Sequence, residues 1–406
     1  MMQIRPILST LRRHKTAAAL IVLEIALTCA IVCNAVFLIM GRVERLQFVS
    51  GFAEDELVAV GVDSIGKPAN PAATTRADLA ALRALPGVRS VTITDQVPFG
   101  DNEHNSGIAL APGQPTPTLS ASIYSADETT LATAGLRLVA GRDFLPEEVL
   151  DYDDEDAESH LPSAILAQAV ADALFPDGHA LGKSIYLSDT TPTRVVGIVE
   201  RLARPHPHFD DKSALAILVP MHVTFRNGNY VLRVDPAQRD RVLKSAAETL
   251  SRQGGQRVID RPTTFADLRT HYLRSDVAMA RLLGGVCIAL LVVTAFGIVG
   301  LASFWVQQRT RMIGTRRALG ATRGQIRAYF QLENLLLTSA GIALGMMGAY
   351  GINQWLMIHY ELPRLPAIYL PLGAILLWTL GQVAVLAPAR RASGVAPALA
   401  MRGLVS

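Results

Sequence analysis

Residues 17–40, 281–306, 328–356 and 368–387 are each apolar over about 20 residues, the length at which a helix crosses a ~30 Å hydrocarbon core. The polar segment 41–280 separates the first run from the other three and is long enough to bury a core of its own. The chain therefore reads as a membrane protein of four transmembrane α-helices, one plus three. A large α+β extracytoplasmic domain is inserted between helices 1 and 2.

Charge sets the expected orientation. The segment 1–16 carries Arg5, Arg12, Arg13 and Lys15; the connection 307–327 carries Arg309, Arg311, Arg316, Arg317, Arg323 and Arg327; the tail 388–406 carries Arg390, Arg391 and Arg402. None of these three segments contains an Asp or Glu, whereas 41–280 holds 32 of the 35 acidic residues. Lys and Arg collect on the cytoplasmic side of short loops, so both ends are expected inside, with 41–280 and the short loop 357–367 outside. The overall net charge of +3 conceals this split and points to no nucleic-acid partner. The first run is too long for a signal-peptide core, and Cys33-Asn34-Ala35 is a poor cleavage site, so it is expected to stay as an anchor.

All three cysteines, Cys29, Cys33 and Cys287, lie inside apolar runs, so the exported segment cannot use disulfides. In 41–280, alternation predicts a strand over 57–62, then a helix from an N-cap at Thr75 to Pro86-Gly87, then a strand over 88–94. A second such unit is expected as strand 230–234, helix 236–252 and strand 257–260. Two strand-helix-strand units around a middle section predict an α+β domain with an inserted β-rich subdomain at about 111–225, carrying one helix over 163–174.

Several local patterns fail as chemistry. Gly178 to Ser184 resembles a phosphate loop but has three residues between its glycines where four are required, and reads as a turn into a strand. The run DYDDEDAE (151–158) lacks the Gly and Glu of a calcium loop. His206, His208, Asp210 and Asp211 lie together, but between prolines in an irregular segment. No nucleophile, acid-base pair or metal set can be assembled from spacing, so no catalytic, cofactor or metal residue is expected and the chain reads as a non-enzyme.

Gly341, Gly345 and Gly348 give the third run a small face suited to close helix packing. Glu24 and Glu333 lie within or beside spans, where a carboxylate needs a partner or water; for either, an arginine of the inner connection is one such partner. The connection RTRMIGTRRALGATR (309–323) sets Ile313, Ala318 and Leu319 among arginines, a mixture that suits docking of a cytoplasmic partner. Gly314 and Gly320 predict two short helical pieces; one continuous helix would put Arg309, Arg316 and Arg323 on one face.

The stretch RTRMIGTRRALGATRGQIRAYFQLENLLLTSAGIALG resembles the signature of the MacB/FtsX-type ABC transporter permeases. AGLRLVAGRDF and SAILAQAVADALFPDGHALGKSIYL resemble the MacB-like extracytoplasmic core, and PARRASGVAPALAMR the family's C-terminal end. Met312 departs from the acidic residue usual at that point. The resemblance implies a permease subunit that binds neither ATP nor magnesium itself. It implies a separate cytoplasmic ABC ATPase, which holds both, and a second permease copy or paralogue in a dimer. It further implies residence in the inner membrane and export or efflux by mechanotransmission, with a periplasmic adaptor and outer-membrane channel as further partners. Alternatives within the resemblance are an FtsX-like regulator of a cell-wall hydrolase and a peptide-antibiotic sensing permease. The coupling residues it points to are Arg311, Ile313, Arg316, Arg317, Leu319, Gly320 and Ala321.

Overall fold

The first apolar run lies within α1 (Lys15–Leu46), a helix of 32 residues. At 1.5 Å per residue it is about 48 Å long, well beyond a ~30 Å hydrocarbon core, and it continues past Met40 into residues assigned above to the polar segment. The computed structural model describes residues 15–66, 70–151, 161–187, 190–207, 212–224, 227–254, 257–260, 262–360 and 364–394.

Arg45–Arg274 form one compact unit. Its elements begin with β1 (Leu57–Ser64), α2 (Pro71–Arg83) and β2 (Val88–Thr94). A middle section follows with β3 (Asn105–Ile108), β4 (Leu119–Ala126), α3 (Thr130–Ala134), β5 (Leu138–Gly141), β6 (Leu150–Asp151) and β7 (Ser163–Ala167). It continues through α4 (Gln168–Leu174), β8 (Ser184–Tyr186), β9 (Pro192–Val199) and β10 (Ala216–His222). The unit closes with β11 (Asn227–Val234), α5 (Arg239–Arg252), β12 (Arg257–Ile259), β13 (Thr263–Thr264) and α6 (Phe265–Tyr272).

The outer elements build one sheet in the order β12-β1-β11-β2, with β13 beside β1. β11 is antiparallel to both β1 and β2, and β12 is antiparallel to β1. Each strand-helix-strand unit is thus split by a strand of the other, an interlocked double βαβ arrangement. The period of two decides its faces. Val58, Val60 and Val62 pack with Leu79 and Leu82 of α2 and with Val242, Ala246 and Leu250 of α5, while Leu57 and Ala59 face Phe265 of α6. Asp78, fully buried on α2, accepts hydrogen bonds from the Tyr230 hydroxyl and the Arg257 guanidinium, both at 2.7 Å. Burial, with the Asp78 carboxylate beside it, holds the Tyr230 hydroxyl well above the ordinary phenol range.

Two expectations change here. The N-cap of α2 is Asn70, whose side chain accepts from the Ala73 amide at 2.9 Å, with Pro71 in the first turn. Proline fits that place because its missing N–H has no helical partner there. Thr75 lies inside the helix, bonding back to the Pro71 carbonyl. The helix expected over 163–174 is a strand followed by a short helix. Ser163–Ala167 is buried on both faces between β9 and β10, and only Gln168–Leu174 is helical. A run buried on both faces shows no alternation, so its period does not distinguish strand from helix.

The middle section forms a second sheet, β3-β4-β10-β7-β9-β5, starting at Asn105 rather than near residue 111, and it carries α3 as well as α4. The segment that resembled a phosphate loop is a turn with Gly178 and Gly182 at positive φ, leading into β8. Residues 152–158, His208, Asp210 and Asp211 lie outside the described residues; His206 bonds Glu103 at 3.2 Å. Phe99 holds a left-handed backbone, φ 62°, which costs about 1–2 kcal/mol for a residue with a Cβ. Its amide donates to the Pro205 carbonyl at 2.9 Å, and its buried ring packs 5.5 Å from that of Tyr272.

The remaining apolar runs lie within α7 (Arg274–Gln308), α9 (Arg323–Tyr360) and α10 (Tyr369–Gly394), with α8 (Thr310–Ala318) between α7 and α9. These group with α1 in the second unit, so residues 41–44 and 275–280 belong with the helices. Half of the most apolar stretch of α1 is buried, against 17% to 33% for the other three, which makes α1 the central helix. Each neighbour approaches it at a glycine. A Cβ on Gly297 of α7 would meet the Glu24 carboxylate, one on Gly373 of α10 the Cys33 sulfur, and those on Gly341 and Gly345 of α9 would meet Ile25 and Cys29. Gly348 has only ordinary contact with Ala30. Thr28–Thr294 and Asn34–Ala349 hydrogen bonds, at 2.8 and 3.1 Å, add polar ties to α7 and α9. Cys29, Cys33 and Cys287 are free and buried, and no metal-holding group of side chains occurs among the described residues.

Candidate coupling site

The basic connection folds as an elbow with a defined local logic. α8 runs unbroken through Gly314, which is buried, so that glycine does not divide the connection. The break comes at Gly320, φ 97°, a backbone region open to glycine at no steric cost. The Gly320 amide donates to the Arg317 carbonyl at 3.1 Å and the Ala321 amide to the Arg316 carbonyl at 3.0 Å. These are the paired bonds of a Schellman cap. The next helix is capped at once: the Gln325 amide donates to Thr322 Oγ1 at 3.3 Å and the Thr322 amide to Gln325 Oε1 at 2.9 Å. A T-x-x-Q capping box thus follows the helix stop with no slack between them. Thr322 and Gln325 carry this signal in the sequence.

Between the two caps stands Leu319, 84% exposed. Arg311, Met312 and Arg323 are also exposed around it. Arg316 is half-buried, its guanidinium 5.1 Å from the centre of the Tyr329 ring, and Arg317 and Ala321 are half-buried as well. Ile313, expected among the contact residues, is instead 2% exposed in a cluster with Val306, Ile326, Phe330, Ala389 and Ala392. It packs the elbow onto α9 and α10 and is not available to a partner.

Arg309, Arg316 and Arg323 do not share a helical face, because Arg309 precedes α8 and Arg323 opens α9. Arg309 turns inward. Its Nη1 donates to both carboxylate oxygens of Glu333, at 3.0 and 2.7 Å, and its guanidinium lies 5.3 Å from the Trp305 ring centre. The arginine of this connection thus pairs with Glu333, not Glu24; Glu24 has no ion-pair partner among the described residues. Both members of the pair are buried, so removing one leaves an uncompensated charge, typically a loss of about 3–5 kcal/mol. Glu333→Ala is accordingly expected to lower the thermal unfolding temperature in detergent sharply, and adding Arg309→Leu is expected to restore most of it. A single variant as stable as the wild type would remove this pair from the account.

Two family descriptions match the chain. Residues 21–250 match the MacB-like periplasmic core domain, more than half of the chain, and residues 284–397 match the FtsX-like permease C-terminal region. The chain belongs to the MacB/FtsX-type ABC transporter permeases. Among its relatives, the permease is 26% identical to the ABC transporter permease YvrN of Bacillus subtilis (strain 168), over 69% of each chain. It is 23% identical to YknZ of the same organism over 98% of each chain. It is 26% identical to the macrolide export ATP-binding/permease protein MacB 1/2 of Paracoccus denitrificans (strain Pd 1222). That match covers 86% of the permease and 50% of the relative, so the permease spans about half the length of the MacB protein. The elbow lies inside the matched FtsX-like region, and the double βαβ sheet and its insert lie largely inside the matched periplasmic core.

Proposed function

We propose that the elbow is the docking surface for an ABC ATPase on the cytoplasmic face of the inner membrane. ATP-driven movement of that surface then passes along the helices to the extracytoplasmic domain. The carrying observation is Leu319, an apolar side chain 84% exposed on a doubly capped turn among arginines. Docking buries it, which contributes about 1.5–3 kcal/mol, and the surrounding positive charge steers an acidic partner surface. ATP and magnesium belong to the ATPase, and two permease copies or paralogues bring two elbows to two ATPases. YknZ, matched over 98% of both chains, is named as an ABC transporter permease, which supports an ABC ATPase as the partner. The name of the MacB relative supports export as the outcome. A periplasmic adaptor and an outer-membrane channel are further partners in this proposal. Mechanotransmission needs no passage for cargo between the spans.

Purification in mild detergent is expected to bring an ABC ATPase down with the permease; a cell-wall hydrolase without one would contradict the reading. Single cysteines at Ser106 and Ser406 test the orientation. An impermeant thiol reagent applied to intact spheroplasts is expected to label the first and spare the second, because the basic segments lie inside. Labelling at Ser406 would invert the proposal.

A further inference from the structure

Arg269, on α6, gathers four acceptors around one guanidinium. Its Nη1 donates to both oxygens of Glu54, at 2.9 and 3.0 Å, and its Nη2 to the backbone carbonyls of Leu46 and Phe48, at 2.9 and 2.5 Å. The guanidinium also lies 5.5 Å from the centre of the Phe99 ring, beside the left-handed turn described above. Leu46 is the last residue of α1, and α7 begins at Arg274, little more than one helical turn beyond Arg269. One side chain therefore joins the exit of the first membrane helix to the approach of the second.

The exit segment is fastened further into the domain. Ser50 donates to Glu54, and the Ser50 carbonyl accepts from the Ala203 amide at 2.8 Å. Gly51 has φ 92°, and any Cβ there would collide with the Arg201 carbonyl. The Arg269–Glu54 pair is largely shielded, with side chains 22% and 15% exposed, so solvent weakens it less than a surface pair.

The chain enters the extracytoplasmic unit from α1 and leaves it into α7, and those are its two covalent ties to the spans. A helix pulling on a slack connection would lose its displacement there. A guanidinium prevents this because its donors are fixed in one plane, so it can hold a carboxylate on one side and two carbonyls on the other. We propose that Arg269 is the positioning residue that makes α1 and α7 move the extracytoplasmic domain together. The proposal rests on the coupling reading above.

The test uses the full-length permease with its ATPase in lipid nanodiscs, spin-labelled at Arg252→Cys, an exposed position of the extracytoplasmic unit, so that the two permease copies of a dimer carry one label each. The distance between the labels is measured without nucleotide and with ATP trapped by vanadate. The wild-type background is expected to show a nucleotide-dependent shift in distance. Arg269→Gln is expected to lose that shift while the permease stays folded and its ATPase turns over at close to the wild-type rate, a combination that a purely structural role would not give. Arg269→Lys keeps a charge for Glu54 but cannot hold the two carbonyls as well, and is expected to lose most of the shift; it decides the matter if the glutamine variant misfolds. A full shift in a folded variant overturns the role of Arg269 and leaves the coupling reading standing. An absent shift in the wild-type background, with ATPase bound and turning over, overturns both.

Discussion

Leu319→Asp is expected to weaken binding of the ATPase roughly 10–100-fold and to abolish its stimulation by the permease, with the permease itself still folded. Losing a buried leucine removes about 1.5–3 kcal/mol of apolar stabilisation, and each 1.4 kcal/mol is tenfold in affinity. The new carboxylate adds the cost of burying an unpaired charge. Stability should hardly change, because the side chain is 84% exposed and touches little of its own protein. Arg316→Glu with Arg317→Glu is expected to impair docking too. That pair also removes the Arg316–Tyr329 contact inside the elbow, so Leu319→Asp is the cleaner test. Titration of the ATPase against both variants in nanodiscs, with ATP turnover read in parallel, checks this. Wild-type affinity for Leu319→Asp would remove the exposed leucine from the docking surface.

Gly345→Ala and Gly348→Ala are expected to part company, although both add one methyl group to the same helix. A Cβ at Gly345 would lie 2.5 Å from Cys29 Cβ and 2.6 Å from the Ala26 carbonyl oxygen, so α9 and α1 must separate to admit it. Overpacking usually costs about 1–3 kcal/mol, and contact with backbone, which cannot rotate away, belongs at the upper end. At Gly348 the nearest atom is Ala30 Cβ at 3.5 Å, ordinary van der Waals contact, and alanine there is expected to be neutral. Thermal unfolding of the two variants in the same detergent decides it. Equal losses would mean that α9 does not approach α1 at Gly345 as described.

The spans could be read because a lipid-crossing helix must be apolar along its whole length, and the double βαβ unit because its strands are covered differently on their two faces. Reading failed where long-range packing decides. Ser163–Ala167 has no alternation because both its faces are covered. Ile313 resembles an exposed apolar residue among arginines until Ala389 and Ala392 of α10 close over it. The choice of Glu333 over Glu24 as partner of Arg309 depends on how α9 packs beside the end of α7, which no spacing rule reports. Arg269 has no local sequence signal, because its acceptors lie more than two hundred residues earlier in the chain. The elbow itself was written locally, in Gly320 and in Thr322 with Gln325. Recognising the second cap would have placed Leu319 in the open turn from sequence alone.

This turn is expected to touch the ATPase while the transporter works. A photo-crosslinking amino acid at Leu319, in cells carrying the full-length permease and its ATPase, tests it most directly, with the same group at Ile375, 56% exposed on the membrane-spanning α10, as the control. An ATPase adduct is expected from Leu319 and none from Ile375. A complex that hydrolyses ATP yet gives no ATPase adduct from Leu319 would contradict it.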